Sequence, residues 1–392
     1  MSEWKEYKLG ELIETNARSI GKNYPNSKIL YLDTGSITCN SIDTYQEFEI
    51  DKAPSRAKRL VNQDDIIYSS VRPNQLHYGY ITNPPDNLVV STGFVTITCN
   101  PKQLNAKFLY YYLTQSHITE FLHSVAEAST SAYPSLKPSD IEALDIEIPS
   151  LNEQRRIAAI LSSLDDKIEL LHRENATLEQ MAETLFRQWF VVEAKEEWEE
   201  GTIVDFAKHC KDSINPQKHP DTVFLHYSIP AYDDGKKPTT ETGGNIQSNK
   251  YLVLSNCVLF SKLNPHKDKR VWLMLDDVPD NAICSTEFQI VKPTNPEYLY
   301  FLYGWLTNKE NYDEIASGVG GTSGSHQRID PKSIFSFACP KVDLETICKY
   351  NKQVEPLFNK QRNNQKQIQT LIQTRDGLLP RLMGGEVKVD EL

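Results

Sequence analysis

The sequence predicts a mixed α/β (α+β) protein built twice over, its two globular domains separated by two long helices that form an antiparallel coiled coil. Pseudo-twofold and pseudo-circular organisation follows from the same reading. Three observations lead there: a long heptad-patterned stretch without Gly or Pro, a second such stretch near the C-terminus, and an internal repeat.

The first stretch runs from Leu151 to Phe190. Alternating steps of four and three give Ile157, Leu161, Leu164, Ile168, Leu171, Asn175, Leu178, Ala182, Leu185 and Trp189, a heptad seam with one polar interruption. A helix of about 38 residues at ~1.5 Å per residue is roughly 57 Å long, more than one small domain covers, so it needs a partner helix. From Ile347 the same stepping gives Tyr350, Val354, Leu357, Gln361, Asn364, Ile368, Leu371, Arg375, Leu378 and Leu382. Asn175 lies just past the middle of its seam and Gln361 just before the middle of the other. Antiparallel pairing would bring these two amides together, whereas parallel pairing would set Asn175 near Ile368. A polar central layer of this kind fixes register at some cost in stability. The plainer alternative is two unconnected amphipathic helices, each packed on its own domain. Pro356 is expected to kink or interrupt the second helix, so that the regular coil begins only near it.

The repeat has a period of about 190–195 residues. Trp4 and the acidic and apolar residues after it match the segment from Trp198. Asp65–Pro73 matches Cys257–Pro265, Ser91-Thr-Gly-Phe94 matches Ser285-Thr-Glu-Phe288, and Phe108–Tyr112 matches Tyr298–Leu302. Pro138, Pro149 and Leu185 match Pro331, Pro340 and Leu378 in the same order. The domains expected are therefore 1–150, a long helix over 151–195, 196–341, and a second long helix with a C-terminal tail over 342–392. Glu193-Ala-Lys195 after the first helix resembles Glu386-Val-Lys388 after the second, so the tail followed by the N-terminus reproduces the linker between the halves.

Within each repeat the β-branched runs Asp65–Val71 and Leu88–Thr98 read as strands, and Asn105–Val125 has helical spacing. Leu144, Ile146 and Ile148 alternate before Pro149, with Ser150 or Asn152 as the cap of the first long helix. Phe335, Phe337 and Cys339 alternate before Pro340 in the same way, which predicts the equivalent strand.

The formal net charge is −11, from 42 Lys and Arg against 53 Asp and Glu. This excludes a uniformly basic, DNA-coating protein, and any nucleic-acid contact must come from local basic clusters on an acidic body. Seven cysteines without a CxxC pair read as buried thiols, and no metal site is expected. No apolar run approaches a membrane span and the N-terminus lacks a signal-peptide core, so a cytoplasmic protein is expected. Enzyme readings fail. In Asn83-Pro-Pro-Asp86 an acid stands where an amino-methyltransferase carries a stacking ring, the two Glu-x-Lys fragments fall in linkers, and His209, His226 and His326 show no metal-ligand spacing.

The chain resembles the specificity subunit of type I restriction-modification enzymes over nearly its whole length. The strings that carry the resemblance are Pro54-Ser-Arg-Ala-Lys-Arg59 leading into Asp65-Ile-Ile-Tyr-Ser-Ser-Val-Arg-Pro-Asn74, Glu153-Gln-Arg-Arg-Ile157, Ser248-Asn-Lys250, Leu259–Pro265, and Leu378-Leu-Pro-Arg-Leu-Met-Gly-Gly-Glu386. The resemblance implies a non-catalytic subunit with two target-recognition domains, each reading one half of a bipartite site in double-stranded DNA. The coiled coil would set the half-site spacing and dock two methyltransferase subunits, with restriction (translocase/nuclease) subunits joining the larger complex. S-adenosylmethionine, ATP and Mg are expected on those partners and no cofactor on this chain. The contrasting expectation is a duplicated protein-interaction scaffold without DNA readout.

Arg and Lys pair with guanine O6/N7, and Asn and Gln with adenine N6/N7. Candidate readers are therefore Arg56, Lys58, Arg59, Ser69, Arg72, Asn74 and Gln75 in the first domain. In the second they are Lys262, Asn264, His266, Lys267, Lys269 and Arg270, together with Gln327 and Arg328 at the end of the Gly-rich segment from Gly318. That segment fails as a phosphate-cradling nucleotide loop because no Lys-Ser/Thr follows its glycines. The aromatics Tyr110–Tyr112 and Tyr298–Phe301 read as core.

Overall fold

A computed structural model describes residues 4–21, 23–128, 135–266, 269–317 and 327–389. The chain divides into two units, one made of Met1–Leu170 with Gln367–Leu392 and the other of Leu171–Lys366.

In the first unit, one four-stranded sheet has the order β2 (Ile13–Thr15), β11 (Phe94–Cys99), β8 (Ile66–Ser69), β9 (Tyr78–Tyr80). A second has the order β6 (Gln46–Glu49), β3 (Lys28–Leu32), β10 (Leu88–Ser91), β7 (Ala57–Leu60), in which β10 runs parallel to β3. A short hairpin joins β4 (Ile37–Thr38) to β5 (Ser41–Ile42), and β1 (Lys5–Lys8) pairs antiparallel with β12 (Asp145–Ile148). Every residue of β8 and β10 is buried, which explains their unbroken apolar character. The run expected as one strand over Leu88–Thr98 is two, in different sheets. Ser91 causes the break, its Oγ accepting the Gly93 N–H (3.1 Å), and Gly93 is seated so close to Thr34 that a Cβ would lie 2.9 Å from its methyl.

Helices α1 (Ala106–Leu113) and α2 (Ser116–Glu127) replace the single helical run expected over 105–125, because Gln115 is extended between them. Asn105 caps α1 by accepting the Phe108 N–H (2.9 Å). A short helix, α3 (Pro138–Glu142), precedes β12.

The second unit repeats this plan. Its first sheet orders β13 (Ala207–Cys210), β21 (Phe288–Pro293), β18 (Cys257–Ser261), β19 (Val271–Met274). Its second orders β14 (Ser213–Ile214), β17 (Lys250–Leu252), β20 (Ala282–Ser285), β15 (Val223–Tyr227), β16 (Thr239–Thr242), again with its one parallel pair between equivalent strands, β15 and β20. Helices α5 (Ile203–Phe206), α6 (Ile229–Asp233), α7 (Tyr298–Thr307), α8 (Lys309–Ser317) and α9 (Pro331–Phe335) complete it. The strand expected from Phe335, Phe337 and Cys339 does not form. Asp330 accepts the Lys332 N–H (2.9 Å) and Pro331 occupies the first turn, so Phe335 is helical, and only an isolated Thr202–Ala338 bridge follows.

The two long helices are α4 (Leu151–Arg187), extended by a π turn over Gln188–Val192, and α10 (Leu344–Met383). Ser150 is the cap of α4, its hydroxyl accepting the Glu153 N–H (3.4 Å). Pro356 does not interrupt α10. It lies on the exposed side, while Tyr350, Val354 and Phe358 hold the inner side in the core.

The helices run antiparallel in each unit. In the first, Ile157 and Leu161 share a core with Leu378 and Leu382, and Asp165 accepts both the Arg375 guanidinium (2.8 Å) and the Tyr111 hydroxyl (2.6 Å). In the second, Phe190 meets Tyr350 edge-on with 4.9 Å between ring centroids. The Asn364 amide donates to Asn175 Oδ1 (2.9 Å) and Glu174 Oε2 (2.9 Å), while Gln361 donates to the Asn175 backbone carbonyl (2.9 Å). The polar layer therefore exists, with Asn364 rather than Gln361 meeting the Asn175 side chain. The seam residues Ile157, Leu161, Leu164, Ile168, Leu171, Asn175, Leu178 and Leu185 of α4, and Leu357, Gln361, Asn364, Ile368, Leu371 and Leu378 of α10, are all buried or half-buried. Among the described residues no helix is long and apolar enough to cross a membrane.

Candidate nucleic-acid interface

The feature common to both units is the turn that ends β8 and β18. In the first, the buried Ser69 hydroxyl donates to the Val71 carbonyl (2.9 Å) and accepts the Val71 N–H (3.2 Å), and the Ser70 N–H donates to the Gly93 carbonyl (2.8 Å). Val71 bridges Ser135, and Arg72 then takes a left-handed conformation (φ +47°). In the second unit the Leu263 N–H donates to Ser261 Oγ (3.2 Å), the Lys262 N–H to the Glu287 carbonyl (2.9 Å), Leu263 bridges Arg328, and Asn264 is left-handed (φ +46°). Positive φ is costly for a residue with a Cβ, least so for Asn. Its recurrence at equivalent residues shows that the turn holds one shape under two different side chains.

In the first unit this turn gathers part of the predicted set. Arg72, Asn74 and Gln75 are exposed and line an open cleft with His123 and Glu127 of α2. The Arg56 carbonyl accepts the Thr92 N–H (2.8 Å), which places the start of β7 beside the same bend that receives Ser70. Arg56 and Lys58 are exposed; Arg59 is half-buried and turned toward Ser19 Oγ (3.5 Å). Ser69 is buried inside the turn it shapes, which makes it a scaffold rather than a reader.

In the second unit most of the cations are held by the protein itself. Arg270 is 8 % exposed, with its Nε (2.6 Å) and Nη2 (2.9 Å) on Asp233. That geometry corrects its expected role, because the guanidinium is spent on α6. Lys269 donates to the Thr307 carbonyl (2.9 Å), and Lys262 to the Thr286 carbonyl (3.0 Å) with Glu287 at 3.9 Å. Asn264 is pinned, its N–H donating to the Gln327 carbonyl (2.8 Å) and its Oδ1 accepting the Gln327 N–H (3.1 Å). Arg328 keeps an exposed side chain while pairing with Glu287. His266 is exposed; Lys267 and residues 318–326 lie outside the described residues. Burial, reinforced by Lys211 and Lys262, pushes His209 down to about 4, so it adds no positive charge here at neutral pH.

Sequence reasoning passed over His123 and Glu287. The signal for Glu287 was present: it is the one substituted position in the matched tetrapeptides Ser91-Thr-Gly-Phe94 and Ser285-Thr-Glu-Phe288.

Residues 1–180 match the type I restriction modification DNA specificity domain. The chain is 35 % identical over 192 residues to the HindI type I restriction enzyme specificity subunit of Haemophilus influenzae, an alignment covering 49 % of this chain and only 41 % of that protein. With the MjaIX specificity subunit of Methanocaldococcus jannaschii identity is 27 %, and the alignment covers 100 % of this chain and 98 % of the relative. The crystal structure of a type I restriction-modification S subunit from M. genitalium shares the fold, with TM-score 0.58, 18 % identity, and coverage of 97 % and 96 % of the two chains. The doubled α+β plan, the antiparallel helix pair in each unit and these likenesses agree: residues 1–180 match a type I restriction modification DNA specificity domain, and the chain is similar along its whole length to a type I restriction enzyme specificity subunit.

Proposed function

We propose that each unit reads one half of a two-part sequence in double-stranded DNA, and that the paired long helices set the distance between the halves. The observation that carries this reading is the repeated strand-end turn, with a left-handed residue at Arg72 and again at Asn264, each bordered by exposed polar side chains. Arg72, Asn74 and Gln75 present a cation and two amides, the donor types that major-groove edges of guanine and adenine accept. Arg56 and Lys58 on the neighbouring strand supply phosphate contacts that orient the unit without reading sequence. Half-sites about one helical turn apart, ~34–36 Å between centres, face the same side of a duplex. A 37-residue helix, at ~1.5 Å per residue, spans on the order of 55 Å and suits that task.

Chemistry is assigned to partners. In this reading two methyltransferase subunits dock on the helices and use S-adenosylmethionine, and restriction subunits supply ATP- and Mg-dependent translocation and cleavage. The acidic body agrees with a chain that binds its target firmly only within such a complex.

The test is to map adenine methylation made by the assembled complex. A two-part motif is expected, and Arg72→Ala should relax one position of one half at a cost of about 1–3 kcal/mol in discrimination. A motif without two parts, or Arg72→Ala weakening all sequences equally with a shallower salt dependence, overturns the reading or reduces Arg72 to a phosphate contact.

A further inference from the structure

Arg328 and Glu287 pair along one edge of the guanidinium. Arg328 Nε donates to both carboxylate oxygens (3.2 and 3.0 Å) and Nη2 donates to Oε1 (2.9 Å), so one edge of the guanidinium is fully occupied. Its opposite edge, Nη1 with the second Nη2 hydrogen, has no protein partner among the described residues, and the side chain is 49 % exposed. Arg270 makes the same kind of bidentate pair but is 8 % exposed, with no edge left for a ligand.

Glu287 is itself built in. Its N–H donates to Ser285 Oγ (3.2 Å), its carbonyl accepts the Lys262 N–H (2.9 Å), and its side chain is only 22 % exposed. Leu263 bridges Arg328, which fixes the arginine backbone beside the β18 turn. The first unit has Gly93 at the equivalent position, where a Cβ would meet Thr34, so this carboxylate is a feature of the second unit alone. An exposed ion pair stabilises a fold very little, which leaves orientation as its physical effect. A guanidinium gripped along one edge loses its rotational freedom and offers two parallel N–H donors on the other, the geometry that matches guanine O6 and N7.

We propose that Arg328 reads a guanine in the half-site of the second unit and that Glu287 is its positioning residue. The proposal rests on the DNA-reading function above and adds the base and the pair of side chains. Lys262, 3.9 Å from Glu287, is then a neighbouring counter-charge to the carboxylate rather than a reader.

The experiment expresses the complete methyltransferase complex in a host lacking adenine methylation and maps methylated motifs on host genomic DNA. It compares the wild-type chain with Arg328→Ala, Arg328→Lys and Glu287→Gln. Arg328→Ala and Arg328→Lys should each lose about tenfold to a hundredfold discrimination at one guanine of one half. The other half should stay unchanged. Glu287→Gln should relax the same guanine, by less, since a neutral amide grips the guanidinium more weakly. Relaxation at that shared position supports the assignment. An unchanged motif in Arg328→Lys, a uniform fall in methylation at all sites, or Glu287→Gln relaxing a different position overturns it. A wild-type motif without two parts would instead defeat the underlying DNA-reading function, so the two failures are distinguishable.

Discussion

Arg270 shows how a side chain that suits DNA in composition can be committed to the fold. Its guanidinium and stem are buried, and Asp233 holds two of its nitrogens. Arg270→Ala should cost about 1–3 kcal/mol of stability, because a buried stem and a charge-assisted bond are lost while the half-exposed Asp233 rehydrates. Urea unfolding checks the stability and methylation mapping checks that the motif is unchanged; a relaxed motif at constant stability would restore Arg270 as a reader. Asp343 gives a pH-dependent case at the start of α10. Burial raises its pKa, but hydrogen bonds from the Thr346 N–H and hydroxyl (both 2.8 Å) and the nearby Lys195 outweigh that and hold the carboxyl at about 2. Since this is below the ~3.9 of an unfolded aspartate, the cap's contribution is fully present above about pH 4 and is lost as pH falls toward 2. Asp343→Ala should therefore lower stability by about 1 kcal/mol at neutral pH, with a penalty that shrinks across that acidic window in thermal unfolding. At this scale the sequence was legible by residue type and blind to partners. Arg72 and Arg270 both follow a strand-rich segment, and nothing local distinguishes the exposed one from the one that meets Asp233 from another element.

The long helices were the most legible elements, because a heptad seam carries its own evidence of a buried face. Direction was legible too, from where the polar residues fall in each seam. The pairing within the layer was off by one seam step, since the sequence does not say how the crossing angle staggers Asn175 between Gln361 and Asn364. Replacing Asn175 and Asn364 together by Leu should raise the unfolding midpoint, worth about 1–3 kcal/mol, while loosening the register that the amides specify. Denaturant unfolding reads the first effect, and crosslinking across the helix pair at Glu174 and Lys360, 3.4 Å apart in the native register, reads the second. A less stable double variant would show that the layer is a net stabiliser. The strands were legible only in part. Leu88–Cys99 looks continuous by composition, but its bend depends on Ser91 and on the close seat of Gly93 against Thr34, a contact between residues far apart in the chain.

For the whole molecule, duplication was readable from matched residues, but strand order was not. The parallel pairing of β3 with β10, repeated by β15 with β20, joins segments separated by several other strands. The ends of the chain come together in the first unit, where the Trp4 indole lies 3.0 Å from where a Cβ on Gly385 would sit and Val387 and Val389 pack on the same core. Trp198 takes the matching place in the second unit, beside Phe190 with 6.2 Å between rings. A permuted chain opened after Lys195, with the Glu386–Val389 segment joined onward to Trp4, should keep the methylation motif of the parent. A changed or absent motif, with folding verified by circular dichroism, would count against the equivalence of the two junctions.

The division of the chain also dictates an order of events during synthesis. The second unit is one uninterrupted run, Leu171–Lys366, whereas the first needs Gln367 onward to complete it. Leu378, Leu382 and Met383, followed by Val387 and Val389, leave the ribosome only after the second unit, so Ile157 and Leu161 stay without their cover while that entire unit emerges. The half made first is therefore finished last, and its bare apolar stripe is the surface that a nascent-chain chaperone would meet.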